Sequence, residues 1–181
     1  RDLKPANILL DREGRPRVTD FGLAVQANDE THLTATGQVL GTPSYMPPEQ
    51  AWAQFERIGP ASDVYSLGAV LYHLLTGRPP FQAANPMETL MQVRSKEPVP
   101  LRQLNPGVPR DLETITLKCL DKQPARRYAS AQELADELGR FLDGAPIRAR
   151  PVGRIERLAR WCGRNRLLAT AAGVAALTLF V

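Results

Sequence analysis

The chain has 181 residues, of which 43% are hydrophobic and 23% charged, and it carries a net charge of +4 at neutral pH. This is the composition of an ordinary globular protein, and the length allows one domain with a core, or one domain plus an appendage. Only two cysteines occur, Cys119 and Cys162, and they lie far apart. A disulfide framework and a cysteine metal site are therefore disfavoured, and two free thiols in a reducing compartment are expected.

The first part of the chain predicts a β-hairpin followed by a loop. The opening stretch RDLKPANILLD places Asp2, Lys4 and Asn7 just before an apolar run. Over residues 6–20, the short apolar stretches ILL and RVT flank the turn-forming stretch DREGRP, which is typical of a hairpin. Residues 23–45 are rich in Thr, Gly, Gln and Asn without periodicity, and we expect a long loop there.

Helical signals follow the loop. A helix is predicted to begin at Pro60, because apolar residues then recur at helical spacing. A second helix is predicted to begin after Asn85, which suits a helix cap, and a third is predicted over about 109–120. A fourth follows the capping-box sequence SAQE at 130–133. The globular part is predicted to end near residue 145.

The last part of the chain consists of a basic segment followed by an uncharged one. Residues 147–166 combine seven arginines with one acid, Glu156, and have a net charge of +6, whereas residues 167–181 contain no charge. A basic flank beside an apolar run fits the positive-inside rule, and a complete membrane span needs about 20 apolar residues. We therefore expect the start of a transmembrane helix at 167–181. An apolar helix packed on another part of the protein is the alternative.

Four polar residues near the start suit phosphoryl transfer. This chemistry needs a group to position and deprotonate a hydroxyl, cations to spread the phosphoryl charge, and ligands for Mg²⁺. Mg²⁺ prefers hard oxygen ligands, which the Asn7 amide and the Asp20 carboxylate offer. The predicted hairpin between them would bring both to one edge. Asp2 then remains as a base, and Lys4 as a point charge for the phosphate.

Several motifs together resemble the eukaryotic-type Ser/Thr protein kinase family. RDLKPAN, TDFG, GTPSYMPPEQ and SDVYSLG occur in the family's order and spacing, from Arg1 to about Leu142. The resemblance implies an α+β, mainly α fold: the large C-terminal lobe of a kinase domain with a short β-hairpin, at 1–145. A basic juxtamembrane segment at 146–166 and the start of a transmembrane helix at 167–181 complete the expected organisation.

The resemblance assigns the chemistry to particular residues. Asp2 resembles the catalytic-loop aspartate that accepts the proton of the substrate hydroxyl, and Lys4 resembles the lysine that contacts the γ-phosphate of ATP. Asn7 and Asp20 resemble the two Mg²⁺ ligands. Leu9 matches the apolar floor beneath the adenine ring.

Further residues receive supporting roles by the same resemblance. Thr42 resembles the residue that assists the catalytic aspartate and lysine and lines the site just beyond the phosphoacceptor. Glu49 resembles a glutamate that forms a largely buried pair with an arginine, here Arg127. Asp63 matches a helix residue that hydrogen-bonds the backbone of the catalytic loop. Pro47 is a departure, since the family usually has alanine there, and it bears on substrate preference.

The same resemblance suggests regulation by phosphorylation. Arg1 resembles an arginine that receives a phosphate from the activation loop, and such a phosphate orders the loop through charge-assisted hydrogen bonds. Thr31, Thr34 and Thr36 lie in this loop, and Thr34 or Thr36 is the preferred autophosphorylation site.

The function implied is ATP- and Mg²⁺-dependent phosphorylation of Ser and Thr in protein substrates, by a bacterial single-pass protein of the inner (plasma) membrane with a cytoplasmic kinase domain. A dimer for autophosphorylation in trans is one expected partner arrangement, and no nucleic acid is expected. The resemblance implies that the chain is a piece of a longer kinase, which starts within the catalytic loop and lacks the smaller lobe. The chain is therefore expected to be inactive alone. Three alternatives remain: a pseudokinase scaffold, a small-molecule phosphotransferase of related fold, and a basic nucleic-acid or membrane-surface protein that relies on residues 147–166.

Overall fold

The computed structural model of the protein describes residues 3–19 and 43–149. The chain divides into two compact units, residues 1–149 and 150–181, and every element named below belongs to the first. This unit is mainly helical with one two-stranded sheet, as the sequence predicts. Its elements in chain order are β1 (Ile8–Leu10), β2 (Pro16–Val18), α1 (Pro48–Ala51), α2 (Pro60–Thr76), α3 (Pro86–Ser95), α4 (Leu101–Leu104), α5 (Arg110–Cys119) and α6 (Ala131–Leu142).

The hairpin forms where the sequence predicts it. Strands β1 and β2 pair antiparallel, with Ile8 opposite Val18. The Asp11 carboxylate accepts a hydrogen bond from the backbone N–H of Arg15 at 2.8 Å, which closes the turn. Gly14 adopts a φ of 74°, a conformation that glycine tolerates better than other residues. Strand β2 begins at Pro16, one residue before the predicted stretch RVT, and proline suits such an edge strand.

Helix α2 is the centre of the described unit. It packs against α4, α5 and α6, and Gly77 ends it with a φ of 76°. The prediction of a helix from Pro60 is confirmed, and its leucines Leu67 and Leu75 pack against the core. Leu74 is 76% exposed, whereas Tyr65 and Tyr72 are fully buried. The apolar periodicity therefore located the helix correctly but does not specify which of its apolar residues are buried.

The remaining predicted helices are also confirmed. The Asn85 side chain accepts a hydrogen bond from the Glu88 backbone at 2.8 Å, and Ser130 accepts one from the Glu133 backbone at 3.2 Å. These two contacts are the predicted caps of α3 and α6. Helices α1 and α4 were not predicted, since four residues are too few to show a helical period.

No helix within residues 3–19 and 43–149 is long and apolar enough to cross a membrane. The predicted span at 167–181 lies outside the described residues, as does the basic segment from 150 onward. Cys119 is a buried free thiol, as expected, and burial raises its pKa to about 12. Cys162 lies outside the described residues.

Helices α2 and α5 approach each other closely at Gly68 and Cys119. A Cβ atom placed on Gly68 would overlap the Cβ atom of Cys119, so only glycine fits there without a shift of one helix. Val64 on α2 and Ile115 on α5 belong to the same fully buried cluster. The contact between these helices therefore depends on one residue that lacks a side chain.

Gly68→Ala should lower the free energy of unfolding by about 1–3 kcal/mol, because the added methyl group overpacks a tight helix contact. The control is Gly139→Ala inside α6, where a new Cβ would meet no atom within 4 Å. That change should be neutral or stabilising by up to about 1 kcal/mol, since alanine favours helices. Urea unfolding followed by tryptophan fluorescence measures both. Equal stability of Gly68→Ala and the parent would contradict the close contact.

Candidate active site

The predicted site residues divide between described and undescribed parts of the chain. The structure describes Lys4, Asn7 and Leu9. The residues outside the described ranges are Asp2, Asp20 and Thr42, together with Arg1 and the loop threonines Thr31, Thr34 and Thr36. The catalytic and metal-binding roles of all these residues therefore stay predictions.

Asn7 lies at the base of the hairpin, next to the end of its second strand. It ends a short 3-10 turn, Pro5–Asn7, and is 6% exposed. Its backbone N–H donates to the Lys4 carbonyl at 2.9 Å, and its carbonyl accepts from the Thr19 N–H at 2.8 Å. Thr19 is the residue directly before Asp20. The hairpin thus brings the stretch that carries Lys4 and Asn7 next to the residue that precedes the second predicted Mg²⁺ ligand.

Both strands of the hairpin carry exposed apolar side chains. Leu9 is 56% exposed and Leu10 is 71% exposed, and Val18 on the facing strand is also exposed. An exposed leucine at the predicted adenine-binding position is suitable for contact with a flat apolar ring. The role that the resemblance gives to Leu9 stays a prediction.

The described residues contain no group of three or more His, Cys, Asp or Glu side chains that could hold a metal ion. The predicted Mg²⁺ site does not need such a group, because Mg²⁺ binds through one or two protein oxygens and the phosphates of its nucleotide. Asn7 offers an amide oxygen of the required hard type. Its position beside Thr19 fits a site shared with the carboxylate of Asp20.

Glu49 and Arg127 form the buried ion pair that the resemblance predicts. Arg127 Nη1 lies 2.8 Å from Glu49 Oε1 and Nη2 lies 2.8 Å from Oε2, so the pair is bidentate, and the side chains are 0% and 1% exposed. Arg127 also donates to the carbonyls of Ala61 at 2.9 Å and Asp121 at 2.8 Å. The Ser62 hydroxyl donates to Glu49 Oε1 at 2.6 Å. Protein groups therefore compensate both buried charges.

The ion pair determines the protonation state of the glutamate. Burial by itself raises the pKa of Glu49, whereas the hydrogen bonds and charge of Arg127, with the Ser62 hydroxyl, lower it. The net result is a pKa below the ordinary value of 4.5. Glu49 is therefore charged at neutral pH despite its burial.

The turn Pro43–Tyr45, which follows Thr42, is fixed to helix α2 by two contacts. The Tyr45 hydroxyl shares a hydrogen bond with His73 Nδ1 at 2.5 Å, and the Ser66 hydroxyl donates to the Tyr45 carbonyl at 3.0 Å. None of the sequence motifs described above includes His73. The only sequence signal for this role is the separation of Ser66 and His73 by seven residues, which places both on one face of the helix.

A groove of about 540 Å³ lies beside this turn. Its walls are the turn itself, the C-terminal end of α2 and the N-terminal end of α3, with His73, Gln82 and Asn85 among the polar lining residues. The groove continues from the residues that follow Thr42. This surface is thus adjacent in sequence to Thr42, which the resemblance places just beyond the phosphoacceptor.

The structure also describes Asp63 and Pro47, two further residues that the resemblance singled out. Asp63 is half-buried in the first turn of α2, and its predicted contact with the catalytic-loop backbone stays a prediction because that loop begins outside the described residues. Pro47 is buried and precedes α1, where its carbonyl accepts hydrogen bonds from Gln50 and Ala51. Its φ of −71° is the value that the proline ring imposes, so this residue fits without strain.

The fold and these contacts define a helical kinase lobe. The model of the protein kinase domain family matches residues 1–138 of the chain. The chain therefore belongs to the protein kinase domain family, which confirms the resemblance seen in the sequence motifs.

The relatives that the chain matches are serine/threonine-protein kinases of bacteria. The chain is 42% identical over 149 residues to serine/threonine-protein kinase PknB of Mycobacterium leprae, covering 82% of this chain and 24% of the relative. It is 38% identical over 174 residues to PknB of Mycobacterium tuberculosis (96% and 26%). It is 41% identical over 145 residues to PknB of Mycolicibacterium smegmatis (80% and 23%). The chain thus spans about a quarter of the length of these relatives.

Glu49→Gln should lower the free energy of unfolding at pH 7 by about 3–5 kcal/mol, because it leaves the buried Arg127 charge without its partner. The folded pKa of Glu49 lies below 4.5, so its contribution is complete above about pH 4.5 and is lost as the pH falls through the lowered value. The difference between variant and parent should therefore shrink at pH 3. Urea unfolding at both pH values measures it.

The matched control for this experiment is Glu13→Gln. Glu13 pairs with Arg15 at 2.8 Å, but both side chains are more than 60% exposed, at 64% and 61%. An exposed pair contributes about 0–1 kcal/mol. A loss for Glu49→Gln no larger than that of the control, or an equal loss at both pH values, would show that the buried pair does not act as described.

Proposed function

We propose that the protein transfers the γ-phosphate of ATP to Ser and Thr hydroxyls of protein substrates. The observation that carries the proposal is the match of the protein kinase domain family to residues 1–138, which includes the whole RDLKPAN stretch. The relatives named above are serine/threonine-protein kinases, and that name supports the choice of hydroxyl. The proposal concerns the whole protein, since the chain spans only a quarter of the relatives.

In this mechanism the chain supplies positioning and charge. Asp2 orients the substrate hydroxyl and accepts its proton, and Lys4 places a positive charge beside the transferred phosphoryl group. Asn7 and Asp20 hold Mg²⁺, which neutralises phosphate charge when bound. Leu9 supports the adenine ring. The hydrogen bond between the Asn7 carbonyl and the Thr19 N–H supports this arrangement, because it ties the two metal-binding stretches together.

A protein substrate is favoured over a small molecule by the surface after Thr42. Tyr45 is fixed to α2 through His73 and Ser66, and the adjacent groove of about 540 Å³ is open. A fixed turn beside an open groove suits an extended peptide, which needs a long surface rather than an enclosed pocket. The small-molecule alternative offers no reason for this anchored turn.

We also propose that residues 146–181 anchor the protein in the inner membrane, with the kinase domain in the cytoplasm and with dimers that permit autophosphorylation in trans. The support is the charge pattern alone: +6 over 147–166, followed by an uncharged stretch. Membranes from cells that express the full reading frame should keep the protein after washes with high salt and with alkali. Release by salt alone would instead indicate surface binding through the arginines.

Asp2→Asn in the full-length protein should lower phosphate transfer from labelled ATP to Ser and Thr by about 100- to 10,000-fold, because the general base is lost. The matched control is Asp111→Asn, which makes the same chemical change at an exposed position in the first turn of α5. The control should retain the parent's rate. Both variants should melt at the parent's temperature.

Label on the parent and the control but not on Asp2→Asn would establish both the kinase activity and the role of Asp2. Absence of label on all three proteins, with ATP still bound, would contradict phosphotransfer and favour the pseudokinase scaffold. Equal label on all three would reject Asp2 as the base.

A further inference from the structure

The chain turns back onto the helical core after α6. Helix α6 ends at Leu142, and Gly144 adopts a φ of 68°, which reverses the chain direction. The N–H of Ala145 then donates to the Arg140 carbonyl at 2.8 Å. Residues 145–149 therefore do not leave the domain directly, although the sequence predicts that the globular part ends near residue 145.

This short segment alternates between buried and exposed side chains. Ala149 is 3% exposed and Ile147 packs against the same cluster, whereas Pro146 and Arg148 face solvent. The cluster beneath them contains residues from α2, α5 and α6. Residues 145–149 thus cover part of the core, and the first compact unit ends at Ala149.

A buried carboxylate holds the end of the segment. Glu137 on α6 is 2% exposed, and its Oε1 atom accepts a hydrogen bond from the Ala149 N–H at 2.5 Å. Its Oε2 atom lies 3.8 Å from Arg140 Nε, whose side chain is 34% exposed. Burying a carboxylate is costly unless it is hydrogen-bonded. The proposed phosphotransfer gives Glu137 no role, so its burial requires another explanation.

We propose that residues 145–149 form a strap, which holds the start of the arginine-rich segment on α6 and opens without unfolding of the core. The hydrogen bond that Glu137 accepts from Ala149 is the clasp that keeps this strap closed. The seven arginines of residues 147–166 begin within this strap, at Arg148. The clasp therefore determines where the positively charged segment leaves the domain. This proposal does not rest on phosphotransfer.

The contacts indicate that the strap opens before the core. Beyond the backbone hydrogen bond of Ala145 at its start, the described contacts of the strap are one hydrogen bond to a side chain and two apolar contacts, at Ile147 and Ala149. The core residues Val64, Ile115 and Cys119 are fully buried and are held between several helices. Segments with few buried contacts open locally with less free energy than the whole domain.

The test is amide hydrogen exchange at Ala149 in the full-length protein. Glu137→Ala removes the acceptor and should accelerate exchange at this amide at least tenfold, and trypsin should cleave after Arg148 faster by a similar factor. Asp136→Asn is the matched control, because Asp136 is the exposed neighbour of Glu137 on α6 and its carboxylate accepts a hydrogen bond from the Gln132 side chain on the same helix. Exchange at Ala149 should not change in this control.

Two further variants separate the clasp from general destabilisation. Glu137→Gln keeps an oxygen acceptor and should retain most of the protection. Ile147→Asp leaves Glu137 in place but puts a charge on the apolar contact, and it should accelerate exchange at Ala149 as Glu137→Ala does. In each variant, labelling of Cys119 by a thiol reagent, located by peptide mass, should stay as slow as in the parent.

Two outcomes would overturn the proposal. Unchanged exchange at Ala149 in both Glu137→Ala and Ile147→Asp would show that the strap is not held by these contacts. Acceleration at Ala149 accompanied by equally faster labelling of Cys119 would show that the segment opens only with the core. Fast exchange at Ala149 with slow labelling of Cys119 is the result that the proposal predicts.

Discussion

The buried pair of Glu49 and Arg127 joins parts of the chain that are far apart in sequence. Glu49 lies in α1, directly after the turn that follows Thr42, and Arg127 lies in the segment before α6. Two charges placed in a low-dielectric interior are tolerated only in good geometry, with their remaining hydrogen-bonding groups satisfied. Arg127 meets this condition by also donating to the carbonyls of Ala61 and Asp121. The ion pair and its hydrogen bonds therefore fix three parts of the fold relative to one another: α1, the start of α2 and the segment before α6.

Helix α2 extends this constraint to the region proposed to receive the substrate. Its first turn supplies Ser62 to the ion pair, and its later turns supply Ser66 and His73 to Tyr45. Its opposite side contacts α5 closely at Gly68. One helix thus holds the turn Pro43–Tyr45 and also forms the centre of the core, so a shift in its packing would be transmitted to this turn.

Local sequence patterns predicted the elements that depend on local chemistry. The hairpin followed from a turn-forming stretch between two apolar runs, and the caps of α3 and α6 followed from Asn85 and Ser130. The Glu49–Arg127 pair followed from the family resemblance, since no local pattern connects residues separated by 78 positions. The proposed catalytic residues Asp2 and Asp20 lie outside the described residues, so the site stays a prediction at those positions.

Features that depend on tertiary packing could not be predicted from the sequence. The exposure of Leu74 and the burial of Tyr65 depend on where neighbouring helices contact α2, which periodicity does not specify. The Tyr45–His73 bond and the burial of Glu137 arise in the same way, because each joins segments that share no local signal. Four-residue helices such as α4 are too short for a period to appear.

The strap at 145–149 also has a consequence for distance and local concentration. A closed strap fixes the origin of the arginine-rich segment at Ala149, whereas an open strap moves that origin back to the end of α6. Five extended residues add at most about 17 Å of tether. The hydrogen bond of a single buried carboxylate would thereby change the effective concentration of the domain beside any partner that is bound through the residues after the strap.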